Sequence, residues 1–320
     1  MAIKLLIGGS PCTHWSIAQS KEKRETKAEG LGWELFKNYL IAKDKFKPDY
    51  FLYENNVSTA KAIKEMISET LGVGSDEKTR FTEIDSSLVS AQKRRRFYVT
   101  NFGDIEQPID RGVSFQDIKD TDYEYCKQFK GNRTPSRERM WRDGKMKTNS
   151  IEYCPNITYA EKAFTMMTKQ DRSPNSGLIE FEDFFRYLTT RELEQLQTMP
   201  IGYCKVLTKN QAEKALGNGW TAEVIIHLLN HALSDVPRDE EIIVLSLYDG
   251  IATGRYCLDK MGFTNVTYYA YEIDKHAISV AMDNYPDIIQ CGDAFAVREE
   301  DWQPPQTRSE WLDELLGGGL

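Results

Sequence analysis

The stretch IIVLSLYDGIATG, residues 242–254, decides the fold class of this chain. Its first six residues form the most hydrophobic strand pattern in the sequence, and they run directly into a glycine-containing turn. A buried strand, a turn and a helical pattern in this order form one unit of an alternating β/α arrangement. The stretch therefore predicts a mostly parallel sheet with helices on its faces.

Further patterns extend this alternation on both sides. Strand patterns cover residues 3–7, 50–53, 81–85, 97–100 and 266–271, and helical patterns cover residues 30–45, 58–71, 190–197, 221–233 and 275–284. The rhythm is lost between residues 101 and 181, where prolines, glycines, charges and aromatic residues mix. We expect an α/β fold with a second, smaller and irregular domain.

Composition excludes several classes of protein. The chain has 320 residues, enough for about two domains, and with 40% hydrophobic residues it holds no apolar run of the roughly 18 residues that a membrane span needs. A strand pattern begins at the third residue, which leaves no room for a signal segment. We expect a soluble, cytoplasmic protein whose six widely spaced cysteines are free thiols.

One basic segment stands out in an otherwise acidic chain. The formal net charge is -8, but residues 127–147 carry eight Lys and Arg side chains against Glu138 and Asp143. An acidic protein with one basic segment is compatible with a nucleic-acid partner held at one face.

Polar and reactive side chains follow the predicted strands where each strand ends. In open α/β sheets the carboxyl ends of the strands are where ligands bind. The loop 249–254 lets backbone approach a ligand, although it matches neither the dinucleotide-binding nor the phosphate-binding glycine spacing. Glu272 and Asp293 end the next two strands, and with the loop they describe an adenosine pocket.

The second group of candidates comes from the first hundred residues. Cys12 follows Gly-Gly-Ser-Pro on a strand-end turn and precedes a segment rich in Lys and Arg, whose charges favour a nucleophilic thiolate. Glu54 ends a neighbouring strand and can hold a ring nitrogen and the amine of a bound base. Arg94 and Arg96 offer fixed donors for a carbonyl oxygen or a phosphate. By contrast, His227 and His231 lack a third ligand, so we expect no metal site.

These residues resemble the motifs of the DNA cytosine-5 methyltransferases. The resemblance rests on six motifs: GGSPC at 8–12, ENNV at 54–57, QKRRR at 92–96, RYLTTRE at 186–192, LGNGW at 216–220 and LSLYDGIATG at 245–254. The spellings are closest to the branch that contains the animal de novo enzymes and their phage relatives. Thr13 departs from the pattern, because many members carry Gln there.

The resemblance implies a fold, a cofactor and a substrate. The fold is the Rossmann-like sheet of methyltransferases that use S-adenosylmethionine and release S-adenosylhomocysteine. The substrate is a cytosine flipped out of double-stranded DNA, as in restriction–modification or phage enzymes. We expect a monomer with neither membrane nor metal, and a homodimer stays open.

The resemblance also implies residue roles. Cys12 is the nucleophile, with Glu54, Arg94 and Arg96 as its catalytic partners. The predicted cofactor-binding residues are Pro11, Asn218, Trp220, Tyr248, Asp249, Gly250, Thr253, Gly254, Glu272, Ile273 and Asp293. The predicted DNA contacts are Arg133, Arg137, Arg139 and Arg142, which flank Trp141.

The motif order departs from that of most family members, in which the donor loop comes first. Here the chain starts at the cysteine loop and ends with the donor half, so it is interpreted as circularly permuted. The predicted parts are a catalytic half at 1–101, a target-recognition domain at 102–185, a return to the catalytic domain at 186–233, a cofactor-binding half at 242–301 and a tail at 302–320.

Three other functions stay open on the sequence. A dinucleotide-dependent oxidoreductase explains the glycine loop and Glu272 but leaves Cys12 without a role. A non-catalytic DNA-binding relative would keep the fold without the chemistry. An RNA cytosine-5 methyltransferase would use the same chemistry on another nucleic acid.

Overall fold

Strand β9 (Ile242–Leu247) has all six residues buried, as a pattern with five apolar residues out of six predicts. The structure is a computed structural model, and it describes residues 2–16, 22, 24–132, 135, 146–148, 151–153, 156–170, 177–181, 183–307 and 310. Within these ranges the side chains of residues 12, 146–148 and 151–153 are not described. The four predicted DNA-contacting arginines lie outside the described residues.

Seven of the described strands form the main sheet, in the order β11-β10-β9-β1-β2-β4-β3. Their bounds are β1 Ile3–Gly8, β2 Tyr50–Asn56, β3 Arg80–Asp85, β4 Arg95–Thr100, β9 Ile242–Leu247, β10 Val266–Tyr271 and β11 Ile289–Gly292. The pairs β1–β2, β1–β9, β9–β10 and β10–β11 are parallel, whereas β2 and β4 are antiparallel. The predicted mostly parallel α/β sheet is confirmed.

The other described elements are short hairpins, helices and 3-10 turns. The hairpin strands are β5 Met146–Thr148, β6 Ile151–Tyr153, β7 Ile179–Phe181 and β8 Phe184–Arg186. The described α-helices are α1 Gly30–Phe46, α2 Lys61–Leu71, α3 Phe115–Ile118, α4 Tyr123–Lys127, α5 Thr190–Leu196, α6 Lys209–Asn218, α7 Ala222–Leu233, α8 Thr253–Lys260 and α9 Lys275–Asn284. The 3-10 turns found among these residues are Cys12–His14, Ser86–Leu88 and Ala294–Arg298. Within the described residues, no helix has the length and apolar character that crossing a membrane requires.

The chain divides into two compact units. The first comprises residues 1–84, 95–107 and 225–320, and the second comprises residues 85–94 and 108–224. The second unit is wider than the predicted target-recognition domain of 102–185, and the functional boundaries stay a prediction.

The first unit buries its core on both faces of the main sheet. On one face α1 packs Phe36, Tyr39 and Phe46 against strand residues such as Leu245. On the other face α8 approaches so closely that a Cβ at Gly254 would lie 2.3 Å from Cδ1 of Ile7. Both layers hold the central strands β9 and β1 in place, and these strands lead into the predicted site.

The second unit is organised around buried polar contacts. The guanidinium of Arg186 makes two 2.8 Å contacts with the carboxylate of Glu192, and both side chains are fully buried. Thr189 and Glu192 also form a capping box at the start of α5. The motif at 186–192 is thus a structural motif in this chain.

Candidate active site

The carboxyl ends of β1, β9 and β2 lie side by side at one edge of the sheet. Parallel pairing places Gly8 opposite both Leu247 and Tyr53. Gly8 is tightly packed, since a Cβ there would lie 2.6 Å from the carbonyl oxygen of Leu247. The predicted nucleophile loop, donor loop and glutamate therefore follow three adjacent strands.

Hydrogen bonds tie the nucleophile loop to β2. The hydroxyl of Ser10 lies 2.7 Å from that of Tyr53, and the amide of Asn55 donates to the carbonyl oxygen of Ser10 at 2.9 Å. A Cβ at Gly9 would lie 2.7 Å from the carbonyl oxygen of Glu54. The backbone turn that Cys12 opens is thereby fixed beside Glu54, whereas the Cys12 side chain is not described.

Glu54 and Arg96 form an ion pair at this edge. Nε of Arg96 lies 3.0 Å from Oε1 of Glu54, and the two side chains are 12% and 13% exposed respectively. The antiparallel pairing of β2 with β4 brings them together, because Asn56 lies opposite Arg96. A partly exposed carboxylate with a fixed cation beside it can engage the ring nitrogen and amine of a base.

Arg94 differs from Arg96 in its surroundings. It belongs to the second unit and is 3% exposed. Its guanidinium donates to the carbonyl oxygens of Met166, Gly217 and Gly219 at 3.3, 3.2 and 2.8 Å. These contacts give Arg94 a structural part in the second unit, and its predicted catalytic role stays a prediction.

The donor loop holds an unusual backbone conformation. Tyr248, Gly250 and Ala252 have φ angles of 61°, 65° and 60°, of which only the glycine adopts this region without strain. Strain of this kind concentrates at ligand sites that the surrounding fold enforces. Here the backbone N–H groups of Tyr248 and Asp249 both donate to the carbonyl oxygen of Tyr271.

The side chain of Tyr248 is directed at α1. Its hydroxyl donates to the carbonyl oxygen of Leu35 at 2.7 Å and accepts from the amide of Asn38 at 3.1 Å. Burial raises the pKa of Tyr248 to about 12. The hydroxyl thus anchors the loop, which leaves the ring and the backbone for the predicted cofactor contact.

Asp249 is a buried carboxylate in which only one oxygen accepts hydrogen bonds from described residues. Its Oδ1 accepts hydrogen bonds from Ser246 at 2.7 Å and Tyr268 at 2.5 Å. Its Oδ2 has no hydrogen-bond partner among the residues that the structure describes. Burial raises the pKa of Asp249 to about 6, partly offset by those two hydrogen bonds. An orphaned buried acceptor in a strained loop calls for a donor from a ligand or a water.

Glu272 is fixed in position at the end of β10. Its Oε2 accepts from the backbone N–H of Gly250 at 2.9 Å, and its Oε1 accepts from the N–H groups of Ile273 and Asp274 at 2.8 and 2.7 Å. A carboxylate oxygen with one partner retains capacity for another donor. Glu272 therefore joins the donor loop to β10 and can still receive a ribose hydroxyl.

Two exposed apolar side chains lie beside the predicted acids. Ile273 is 73% exposed, and Phe295 is 36% exposed next to the exposed Asp293. Asp293 caps the 3-10 turn 294–298 through the N–H of Phe295 at 2.9 Å. Apolar surfaces of this kind suit a purine ring. Phe295 was not predicted from the sequence, because no motif contains it.

The remaining predicted cofactor contacts fall into two groups. Thr253 and Gly254 are buried in the first turn of α8, where Gly254 serves close packing, and Pro11 is half-buried beside the nucleophile loop. Asn218, which is exposed, and Trp220, which is half-buried, belong to the second unit. Their loop is held by Gln197, whose amide donates to the carbonyl oxygen of Gly219 at 3.0 Å.

The residues of the first unit fit an S-adenosyl group. They offer a free buried acceptor at Asp249, a fixed carboxylate at Glu272, an open backbone position at Gly250 and the apolar side chains of Ile273 and Phe295. Among the described residues, no cluster of three metal-ligating side chains is found. His227, one of the two histidines weighed as ligands, instead contacts the carbonyl oxygen of Glu106 at 2.8 Å.

Residues 1–233 match the sequence model of the C-5 cytosine-specific DNA methylases. The chain belongs to this family. The predicted donor half at 242–301 lies outside the matched residues. Methyltransferases of this family and fold use S-adenosylmethionine as the methyl donor.

The chain is also similar to three solved structures of methyltransferases. Schizosaccharomyces pombe (S. pombe) Dnmt2 is 16% identical with a TM-score of 0.43, over 58% of this chain and 67% of that one. Entamoeba histolytica EhMeth is 14% identical with a TM-score of 0.49, over 73% and 78%. A mutant of Spodoptera frugiperda DNMT2 is 16% identical with a TM-score of 0.49, over 71% and 78%. No curated protein matches the chain.

Proposed function

We propose that this methyltransferase acts on C5 of cytosine in double-stranded DNA through a covalent bond between Cys12 and the base. The observation that carries the proposal is the strand pairing that sets the Cys12 loop, the donor loop and the Glu54–Arg96 ion pair on adjacent strand ends. A dinucleotide-dependent oxidoreductase would leave this ion pair and the cysteine loop without a role.

The residues of the chain divide the chemistry among them. When bound, S-adenosylmethionine supplies the methyl group, and Asp249, Gly250, Glu272 and Ile273 would hold it. The Cys12 thiolate adds to C6, which breaks the C5–C6 double bond and moves an electron pair towards C5. Glu54 holds the proton at N3 and the exocyclic amine, while Arg96 orients Glu54 and donates to O2. After methylation, transfer of the C5 proton to a water molecule restores the C5–C6 double bond, breaks the bond between C6 and sulfur and releases the Cys12 thiolate.

Duplex DNA is the proposed substrate because the cysteine-loop and donor-loop spellings resemble those of DNA enzymes. The target base must rotate out of the helix, at a cost of a few kcal/mol that contacts to the flipped base and the phosphates offset. The basic segment 127–147 supports an anionic polymer as the partner.

The order of the strands supports a circular permutation. Strands from the end of the chain, β9 to β11, pair on one side of β1, and strands from its beginning continue the sheet on the other. Nζ of Lys4, on β1, lies 2.6 Å from a carboxylate oxygen of Glu310 in the tail. The two ends of the usual catalytic order would then meet in the short segment between α7 and β9.

A trapping experiment tests the proposal. The protein is incubated with S-adenosylmethionine and duplex DNA that contains 5-fluorocytosine. Fluorine replaces the hydrogen at C5, so no proton can leave from C5 and the thiolate stays bonded to the base. We expect a denaturation-resistant adduct that Cys12→Ala abolishes. An adduct on 5-fluorocytosine transfer RNA alone would identify an RNA enzyme, and binding without an adduct would identify a non-catalytic relative.

A further inference from the structure

Glu25 ties the segment after the nucleophile loop to the start of α1. Its Oε2 accepts the indole N–H of Trp15 at 3.0 Å and the backbone N–H of Gly32 at 3.1 Å. Its Oε1 lies 3.6 Å from Nδ1 of His14, and the carboxyl side chain is 19% exposed. The backbone N–H of Glu25 also donates to the carbonyl oxygen of His14 at 2.9 Å. One carboxylate thus joins two consecutive elements, the turn 12–14 and helix α1.

The surroundings are shaped to receive this carboxylate. Gly32 lies in the first turn of α1, where backbone N–H groups have no partner within the helix and favour a negative charge. A Cβ at Gly32 would lie 2.5 Å from the indole nitrogen of Trp15 and 2.6 Å from Oε2 of Glu25. Only a residue without a side chain leaves room for both contacts.

Trp15 connects the Glu25 carboxylate to the turn that contains Cys12. The turn Cys12–His14 immediately precedes Trp15, whose side chain is completely buried in the core between α1 and the sheet. Asn55 fixes the turn from its other side, because its amide donates to the carbonyl oxygen of Ser10 at 2.9 Å. The turn that carries Cys12 is therefore held at both ends, by Asn55 before it and by Glu25 after it.

We propose that Glu25 is a positioning residue for Cys12: it sets the direction of the turn 12–14 by holding Trp15 against α1. This inference rests on the proposed function, in which Cys12 attacks C6 of the base. A nucleophile displaced by about an ångström loses about a hundredfold in rate. Glu25 acts on the bond-forming step, whereas Asp249 and Glu272 serve the cofactor.

The test compares variants in the full-length protein. Glu25→Ala removes the carboxylate, Glu25→Gln keeps one acceptor oxygen, and Trp15→Phe keeps a buried ring without the indole N–H. Asp76→Ala is the matched control, since Asp76 also clamps a loop, accepting from the N–H of Lys78 at 2.8 Å and the hydroxyl of Thr79 at 3.0 Å. The readouts are the rate of adduct formation with 5-fluorocytosine duplex DNA and the Kd for S-adenosylmethionine, both measured well below the Tm of each variant.

We expect Glu25→Ala to slow adduct formation by roughly tenfold to a hundredfold with an unchanged Kd for the cofactor. Trp15→Phe should slow adduct formation by a similar factor, and Glu25→Gln should retain part of the wild-type rate. A variant that combines Glu25→Ala with Trp15→Phe should be no slower than Glu25→Ala alone, because both changes break the same contact. Asp76→Ala should match the wild type. A wild-type adduct rate in folded Glu25→Ala would overturn the proposal.

A second measurement separates this proposal from the proposed function. The rate of Cys12 alkylation by iodoacetamide, followed by peptide mass spectrometry against pH, reports on the thiol without any substrate. If the wild type forms no adduct with DNA or RNA, the proposed function fails while the alkylation profile still tests Glu25. Profiles that differ from the wild type in Glu25→Ala and Trp15→Phe, but not in Asp76→Ala, would support the positioning role. Identical profiles would contradict it.

Discussion

Asp249, in the donor loop, lowers the stability of the folded protein when it is ionised, because its carboxyl group is buried. Burial raises its pKa from 3.8 to about 6. Between these values the folded state binds a proton that the unfolded state has released. Lowering the pH from about 7 to about 5 therefore increases the contribution of Asp249 to the free energy of unfolding, and raising the pH through the folded pKa removes it.

Denaturant titrations at several pH values measure this effect without cofactor. We expect the stability of the wild type, relative to Asp249→Asn, to rise as the pH falls across this range, because the variant has no carboxyl group to protonate. Asp293→Asn is a suitable control, since Asp293 is exposed. Parallel pH profiles for wild type and Asp249→Asn would contradict the assignment.

Asn55 is expected to support both stability and chemistry. It is 1% exposed, its amide donates to Ser10, and its Oδ1 accepts from the N–H of Asn56 at 2.8 Å. Asn55→Ala should lower the free energy of unfolding by about 1–3 kcal/mol, because the buried carbonyl oxygen of Ser10 loses its hydrogen-bond donor. It should also slow adduct formation, because this carbonyl lies in the nucleophile loop. Urea denaturation and the trapping assay measure the two effects.

Asn101 provides the control for Asn55 at the opposite end of β2. Its Oδ1 accepts from the N–H of Phe51 at 2.8 Å, and its amide donates to the carbonyl oxygen of Asp49 at 2.9 Å. Asn101→Ala should lower stability while leaving the adduct rate of the folded protein unchanged. Equal losses of adduct rate in both variants would mean that Asn55 acts through stability alone.

At the residue scale, the sequence motifs named Glu54 and Arg96 but not the contact between them. Both were predicted to hold the same base, and the structure pairs them at 3.0 Å, while their catalytic roles stay a prediction. Arg94 sits in the same motif, yet its guanidinium is used by carbonyl oxygens of the second unit, a contact that depends on tertiary structure. Glu25 could not be found, because a carboxylate that binds backbone and indole N–H groups leaves no pattern in the sequence.

At the scale of elements, helix α5 depends on a buried ion pair. Glu192 caps the helix and binds Arg186 through both oxygens, with neither side chain exposed. Glu192→Gln would leave a buried guanidinium without its counter-charge, which typically costs about 3–5 kcal/mol. We expect a loss of this size in chemical denaturation.

The exposed Glu124 serves as the control for Glu192. Its side chain is 79% exposed and lies 4.0 Å from Lys127, a geometry that contributes about 0–1 kcal/mol. Glu124→Gln should therefore leave stability almost unchanged. A loss in Glu192→Gln as small as that in Glu124→Gln would show that the buried pair is not needed for folding.

The sequence predicted elements best where local pattern and packing agree. The bounds of β9, β10 and α9 match the prediction, since each is a continuous pattern that ends at a turn or a cap. Strand β2 was predicted to end at residue 53, but it continues to Asn56 because β4 pairs with it across Glu54 and Asn55. Helix α2 starts at Lys61, three residues later than predicted, because the preceding loop is folded by Asn56, whose Oδ1 accepts from the N–H of Ser58.

At the scale of the whole molecule, the main sheet combines strands from both ends of the chain. Strand β1 lies between β9 and β2, and the tail reaches β1 through the Lys4–Glu310 ion pair. The alternation of strands and helices predicted the parallel sheet, but strand order follows only from pairing. The family resemblance bears on this pairing, because it implies that the nucleophile loop 8–12 and the donor loop 245–254 serve one reaction.

Restoring the usual motif order tests the proposed permutation. The rearranged chain begins at Asp235, ends at Ser234, and joins residue 320 to residue 2 through a short Gly/Ser linker. Both Ser234 and Asp235 are exposed, so the new ends disrupt no buried contact. Since the sheet order is unchanged, we expect the rearranged protein to have a Tm within a few degrees of the original and the same rate of adduct formation.

A matched rearrangement that opens the chain between Val244 and Leu245, inside the fully buried β9, should fail to fold. If the chain opened at residue 234 fails in the same way, the two halves are not interchangeable in order and the permutation is wrong.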